Sequence, residues 1–306
     1  GDITANNNVS ISVNAGEILS ILGENGSGKT TLMNMIAGIY RPDSGDILIN
    51  GKKVSIHSPK DAYKYKIGMV HQHYKLVNVF TAAQNIILGQ EGKQHLDMSL
   101  VKTEIAQICD AYGFKLNLDQ KIYDMSVSQK QTVEIIKVLY KGVDILILDE
   151  PTAVLTPQET KALFDVLRNM RKAGKSIIII THKLNEVMEI SDRVSVLRKG
   201  VYIDTVETSQ TNIQSLTEMM VGQKIELDIE RSMPVNSRDL LKVEGLTCYN
   251  TEGLKALDKV SFTAKSGEFL GIAGIAGCGV HELFECIDGI YKYSEGKIAF
   301  LNDDME

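Results

Sequence analysis

Cysteine is scarce in this chain. The four present, Cys109, Cys248, Cys278 and Cys286, show no C-x-x-C spacing. That scarcity excludes a disulfide framework and a cysteine metal site, and reduced cytosolic thiols are expected. A basic excess is also missing: the formal charge is −6, which argues against a nucleic-acid protein. No aliphatic run is longer than Ile177–Ile180, far short of the roughly 20 residues of a membrane-spanning helix. No secretory signal is visible. The chain opens on Gly1, not Met, and stops at Asp303-Asp304-Met305-Glu306 just after a strand-like run; both ends read as cuts. What is present is a 43% hydrophobic composition over 306 residues, enough for one large or two small domains with a real core.

The most informative stretch is Gly23-Glu24-Asn25-Gly26-Ser27-Gly28-Lys29-Thr30, followed by Thr31. It fits the pattern of Gly, four residues, Gly-Lys-Thr. Ile18-Leu19-Ser20-Ile21-Leu22 before it reads as a buried strand. Leu32, Met35, Ile36 and Ile39 after it recur at helical spacing and predict one apolar helix face. A glycine-rich turn between strand and helix wraps backbone N–H groups around a polyphosphate, and the helix N-terminus adds about half a positive charge. Lys29 would reach the β/γ phosphates, and the Thr30 hydroxyl would ligate Mg²⁺.

The chain also repeats itself. Val9–Ile47 and Val260–Ile298 align without a gap at a constant offset of 251. Gly23, Gly26 and Gly28 match Gly274, Gly277 and Gly279, and Gly38-Ile39-Tyr40 matches Gly289-Ile290-Tyr291. Solenoid units span about 20–50 residues, so this is a duplicated domain. We expect a first domain over 1–222, a polar linker over 223–238 and the start of a second domain over 239–306. The copies differ where chemistry would occur. Lys29, Thr30 and Thr31 become Val280, His281 and Glu282. The second turn keeps its glycines, loses the cation and the hydroxyl, and gains a carboxylate that repels a triphosphate. The second site is expected to bind nucleotide weakly or without turnover.

Further polar residues end apolar strands. Ile145-Leu146-Ile147-Leu148 runs into Asp149-Glu150. Its uniform apolarity suits a parallel strand buried on both faces, and ligands of open α/β sheets sit beyond the strands' carboxyl ends. Asp149 would hold Mg²⁺, and Glu150 would accept a proton from an attacking water. Ile177–Ile180 ends in Thr181-His182, placing His182 at the same edge. Ile67-Gly68-Met69-Val70 is followed by His71-Gln72-His73, where Gln72 would reach Mg²⁺ or the water. The two histidines suggest zinc, but no third ligand of suitable spacing follows. Met125-Ser126-Val127-Ser128-Gln129 precedes Val133, Ile136, Lys137 and Tyr140; Ser126 and the N–H groups after it would make a second anion-binding helix start.

Taken together these parts resemble the ATP-binding subunits of ABC transporters across nearly the whole chain. In that resemblance Gly23–Thr30 is the Walker A loop, Gln72 the Q-loop, and Ser126–Gln129 the signature. Ile145–Asp149 is Walker B with catalytic Glu150 after it, Ala153–Thr156 the D-loop, and His182 the switch histidine. A fused pair with a degenerate second Walker A is similar to the importer group for simple sugars and nucleosides. Met69–His73, Pro151–Glu159 and Met219-Met220-Val221-Gly222 are most similar to its nucleoside-import branch. The resemblance implies ATP and Mg²⁺, transmembrane permease subunits, an extracytoplasmic solute-binding protein and a peripheral place on the cytoplasmic membrane face. It also implies that Lys29, Asp149, Glu150 and His182 work with the second domain's signature, outside this chain. Ser128 stands where the family has Gly, and would face the altered loop around Val280 in the weaker site. The family's adenine-stacking aromatic would fall before Gly1. Two other classes stay open. One is a soluble ABC-type ATPase of translation or DNA repair, opposed by the acidic balance. The other is a non-catalytic nucleotide-binding regulator, opposed by the intact Lys29, Asp149, Glu150 and His182.

The expected fold is α/β: a P-loop NTPase core with a parallel sheet flanked by helices. An antiparallel β part is assigned to Val9–Val13, the Ile47–Gly51 turn and the Arg193–Thr205 hairpin. Thr81–Asp124 reads as a mainly helical subdomain, whose charged and aromatic surface either meets a membrane partner or is simply solvated.

Overall fold

The computed structural model describes residues 4–72, 74–89, 97–224, 237–250, 253–275 and 277–301. The chain divides into two compact units, Gly1–Leu227 and Asp228–Glu306. Most of the expected linker, residues 225–236, lies outside the described residues.

The first unit is built on a six-stranded sheet. Its strands β1 (Ile18–Leu22), β4 (Ile67–Val70), β5 (Ile145–Asp149), β6 (Ser176–Thr181), β7 (Arg193–Arg198) and β8 (Val201–Glu207) lie in the order β4-β5-β6-β1-β7-β8. A separate hairpin pairs β2 (Ile47–Ile49) with β3 (Lys52–Val54). The strands β4, β5, β6, β1 and β7 run parallel, and only β8 is antiparallel. Every residue of β1, β4 and β6 is buried, because both sheet faces are covered. The period of two sorts these residues into separate cores. Leu146, Leu148, Ile177 and Ile179 enter one core. Ile147, Ile178 and Ile180 enter the other, with Met33. The first is closed by α3 (Ala82–Ile87), α4 (Met98–Tyr112), α5 (Val127–Tyr140) and α6 (Pro157–Lys172). The second is closed by α1 (Lys29–Ile36) and α2 (Pro59–Lys64). A third lies beneath α7 (Leu184–Ile190) and α8 (Ile213–Val221). Thr81 with Gln84, Ser126 with Gln129, and Thr156 with Glu159 form reciprocal capping boxes that start α3, α5 and α6.

Three expectations are corrected. The hairpin of Arg193–Thr205 exists, but β7 joins the parallel sheet beside β1, so it belongs to the core sheet. The helix after the glycine loop ends at Ile36, and Ile39 lies beyond it, exposed. Met33, fully buried, leads the packing with Leu32 and Ile36 beside it. Val9–Val13 is not a strand, although Val9, Ile11 and Val13 pack on the second core.

The second unit carries the repeated segment in a sheet of its own. There β9 (Asp239–Tyr249) lies between β10 (Lys255–Lys265) and β11 (Glu295–Phe300), antiparallel to both, with α9 (Val280–Ile287) between them in sequence. At the offset of 251, β10 corresponds to the Val9–Val13 region and β11 to β2. Among the described residues Val9–Val13 joins no sheet, and β2 pairs with β3. The counterpart of β1 differs as well. Residues 268–275 carry no strand, and Phe269 and Ile275 are 89% and 84% exposed. The duplicated backbone persists regardless: Gly28 and Gly279 cap their helices at φ 92° and 90°.

Candidate functional site

The glycine loop leaves the carboxyl end of β1 and turns into α1 through Gly28, whose φ of 92° disfavours any residue with a side chain. Space is equally restrictive: a Cβ on Gly28 would stand 2.3 Å from the Ala5 carbonyl oxygen. Lys29 is buried. Its Nζ donates to the carbonyls of Gly23 at 2.7 Å and Glu24 at 2.8 Å, with Ser27 Oγ at 3.5 Å. Burial lowers the Lys29 pKa, against the opposing charges of Glu150, Asp149 and Glu24.

The parallel sheet brings the distant residues to this loop. Asp149 ends β5 and pairs in register with Ile180 of β6. Thr30 Oγ1 donates to Asp149 Oδ1 at 3.3 Å. Burial raises the Asp149 pKa; the Thr30 bond opposes this, the nearby Glu150 charge adds to it, and Lys29 opposes it. The next residue, Glu150, has φ 46° and donates its N–H to the Ile180 carbonyl at 2.9 Å. His182, two residues beyond that carbonyl, places Nδ1 2.9 Å from Glu150 Oε1. A cleft of about 580 Å³ is lined by Asn25 through Thr31, Gln72, Asp149 and Glu150. Gly23 and Glu24 do not line it; they supply the carbonyls that hold Lys29. His73, one of the histidines flanking Gln72, lies outside the described residues.

Ser126, Ser128 and Gln129 stand apart from this cleft. Ser126 Oγ accepts the Gln129 N–H at 3.3 Å, and the Gln129 side chain accepts the Ser126 N–H at 2.9 Å. Ser128 lines a different cleft of about 270 Å³ with Gln131, Thr132 and Glu159.

Sequence reasoning missed the segment Thr4–Asn7. Thr4 and Ala5 line the first cleft together with Lys199 and Gly200 of the β7–β8 turn. Asn6 Nδ2 donates to the Gly28 carbonyl at 3.2 Å, Asn7 N–H to the Gly200 carbonyl at 2.7 Å, and Gly200 N–H to the Ser27 carbonyl at 3.1 Å. The turn at Lys199-Gly200 was legible; its contact with a loop some 170 residues earlier was not.

Residues 6–153 match the family model described as ABC transporter. Over 307 aligned residues the chain is 43% identical to the nucleoside import ATP-binding protein NupA of Lactococcus lactis subsp. cremoris, covering 100% of this chain and 61% of that protein. It is 46% identical to the guanosine import ATP-binding protein NupO of Bacillus subtilis, covering 97% of this chain and 59% of that protein. The chain therefore spans about three fifths of the length of these relatives. Among solved structures, CbiO1 of Clostridium perfringens, part of the ABC transporter complex CbiONQ, superposes with a TM-score of 0.61 at 29% identity, over 71% of this chain and 88% of that one.

Proposed function

The chain belongs to the ABC transporter family, and we propose that it is the ATP-binding and ATP-hydrolysing part of an importer for nucleosides or simple sugars. The observation that carries the reading is the meeting of two polar pairs at one sheet edge: Thr30 with Asp149, and Glu150 with His182. The donors fit a magnesium nucleotide. The hydroxyl of Thr30, the carboxylate of Asp149 and the amide of Gln72 are hard oxygen ligands of the kind Mg²⁺ takes. Magnesium held there would neutralise charge on the β- and γ-phosphoryl oxygens. Lys29 would exchange its bonds to the Gly23 and Glu24 carbonyls for phosphate oxygens, and the loop N–H groups would cradle the rest. Glu150 would accept the proton of the water that attacks the γ-phosphorus as the bond to the bridging oxygen breaks, a role typically worth ~10²–10⁴-fold in rate. His182, held through Nδ1 by Glu150, would contact the transferred group.

In this reading the chain carries one ATPase domain over 1–222, a linker over 223–238 and part of a second over 239–306. Val280, His281 and Glu282 stand where Lys29, Thr30 and Thr31 would be needed, so the second site would bind nucleotide weakly or without turnover. The catalytic groups of the first domain would work against the signature of the second, while Ser126, Ser128 and Gln129 would face the Val280 loop. The partners are permease subunits and, through them, an extracytoplasmic solute-binding protein. Among the described residues no helix is long and apolar enough to cross a membrane, and in this reading the chain sits peripherally on the cytoplasmic face through its permease partners. Glu150→Gln in the full-length protein should retain MgATP without steady-state hydrolysis. Hydrolysis surviving that change would remove Glu150 as the base. Uptake of labelled nucleosides and of pentoses by cells carrying the complete transporter separates the two substrate classes.

A further inference from the structure

The turn after Glu150 is gripped by a cluster of side chains outside the cleft. Thr152, 2% exposed, donates its hydroxyl to Glu186 Oε2 at 2.5 Å. Lys183 Nζ donates to the Thr152 carbonyl at 2.7 Å, to Thr152 Oγ1 at 3.2 Å and to Glu186 Oε1 at 3.1 Å. Gln131 Nε2 donates to the Pro151 carbonyl at 2.5 Å. Every polar group that these bonds reach in the turn is adjacent to, or two residues from, Glu150. Lys183 itself directly follows His182. The cluster thus ties the chain after Glu150 to the chain after His182.

Glu186 is the third residue of α7. The N–H of the cap residue, Lys183, donates to Thr181 Oγ1 at 3.0 Å, so the helix start leaves the Glu186 carboxylate free to turn to Thr152 and Lys183. What it secures is a residue in a sparsely populated conformation: Glu150 has φ 46°, which persists only where the surroundings over-determine it.

We propose that Glu186 and Lys183 are positioning residues for ATP hydrolysis, acting through Thr152 to hold Glu150 and His182 in one fixed arrangement. The proposal rests on the reading of Glu150 as the general base. Neither residue needs to touch nucleotide, so its loss acts on turnover and leaves nucleotide binding in place.

The test is steady-state MgATP hydrolysis by the full-length protein with its permease partners. Glu186→Ala should lower kcat by about 10- to 100-fold, since a misplaced catalytic group costs about that much. The KM for MgATP should stay within about twofold. Glu186→Gln, which keeps an acceptor for Thr152, should recover most of the rate. Lys183→Met should lower kcat, and Lys183→Arg should restore it. Should Glu186→Ala fail to fold, the Glu186→Gln and Lys183→Met pairings with wild type decide alone. A kcat in Glu186→Ala within about twofold of wild type overturns the proposal, as does a rise in KM parallel to a fall in melting temperature, the mark of a purely structural role. The Glu150→Gln variant separates the two readings. If it abolishes hydrolysis while Glu186→Ala does not lower kcat, only the clamp fails; if it retains hydrolysis, the base assignment fails and takes the clamp with it.

Discussion

Gly28→Ala should be far more damaging than Gly26→Ala, although both positions have positive φ, 92° and 79°. A Cβ at Gly26 meets nothing within 4 Å, so only the backbone cost applies, about 1–2 kcal/mol for an L-residue in a left-handed region. At Gly28 the new Cβ would lie 2.3 Å from the Ala5 carbonyl oxygen and 2.6 Å from Asn6 Nδ2. The Ala5 oxygen has no easy retreat, because a Cβ on Gly200 would also come within 2.7 Å of it. Relief must therefore disturb two bonds, Asn6 Nδ2 to the Gly28 carbonyl and Asn7 N–H to the Gly200 carbonyl. With each bond contributing about 0.5–1.5 kcal/mol, the total reaches about 2–5 kcal/mol. Urea unfolding of the two variants measures it, and MgATP titration should show Gly28→Ala binding the more weakly. The second unit offers an internal control. A Cβ on Gly279 would lie 2.2 Å from the Ala256 carbonyl oxygen, the same collision 251 residues later. Gly279→Ala should weaken hydrogen-exchange protection in the second unit and leave MgATP binding by the first unchanged. Equal destabilisation by Gly26→Ala and Gly28→Ala would refute the reasoning, because the collision would then add nothing to the backbone cost.

Two further predictions concern packing and thiols. Phe164, 1% exposed in the core beneath α6, should cost about 3–5 kcal/mol when changed to Ala, read by urea denaturation. Cys278 is exposed, whereas Cys109, Cys248 and Cys286 are buried. A maleimide should therefore label one thiol quickly in the native chain and four in urea. Burial chiefly, with Cys248 beside it, holds the Cys286 thiol up to about 11. Raising the pH through the ordinary thiol range should leave Cys286 unlabelled in the native chain.

The buried strands were legible because a strand covered on both faces needs no polar residue, and Ile145–Leu148 and Ile177–Ile180 have none. The polar residues closing those runs could be assigned to one edge because parallel strands share a carboxyl end. Most of the failures have a common cause in partners that sequence does not display. Val9–Val13 has the composition of a strand, but a strand needs a ladder, and among the described residues no strand pairs with it. The helical pattern through Ile39 fails because Gly38, at φ 74°, turns the chain out of the helix. Asn6 and Ala5 could not have been assigned to the phosphate loop, since nothing in Thr4–Asn7 announces contact with Gly28 and Gly200. Lys183 and Glu186 were equally hidden: a Lys and a Glu at helical spacing look like an exposed surface pair.

The place of β1 in the sheet governs when the first unit can form during synthesis. β1 is made well before its two neighbours in the sheet, β6 and β7, which end at Thr181 and Arg198. A ribosome adding about 5–20 residues per second leaves the Ile18–Leu22 segment without a sheet for on the order of 10–30 s. During that time five apolar-rich residues are exposed to other nascent chains, and the glycine loop they carry has no rigid base. A truncation before Arg198 should therefore yield aggregation rather than a smaller nucleotide-binding module.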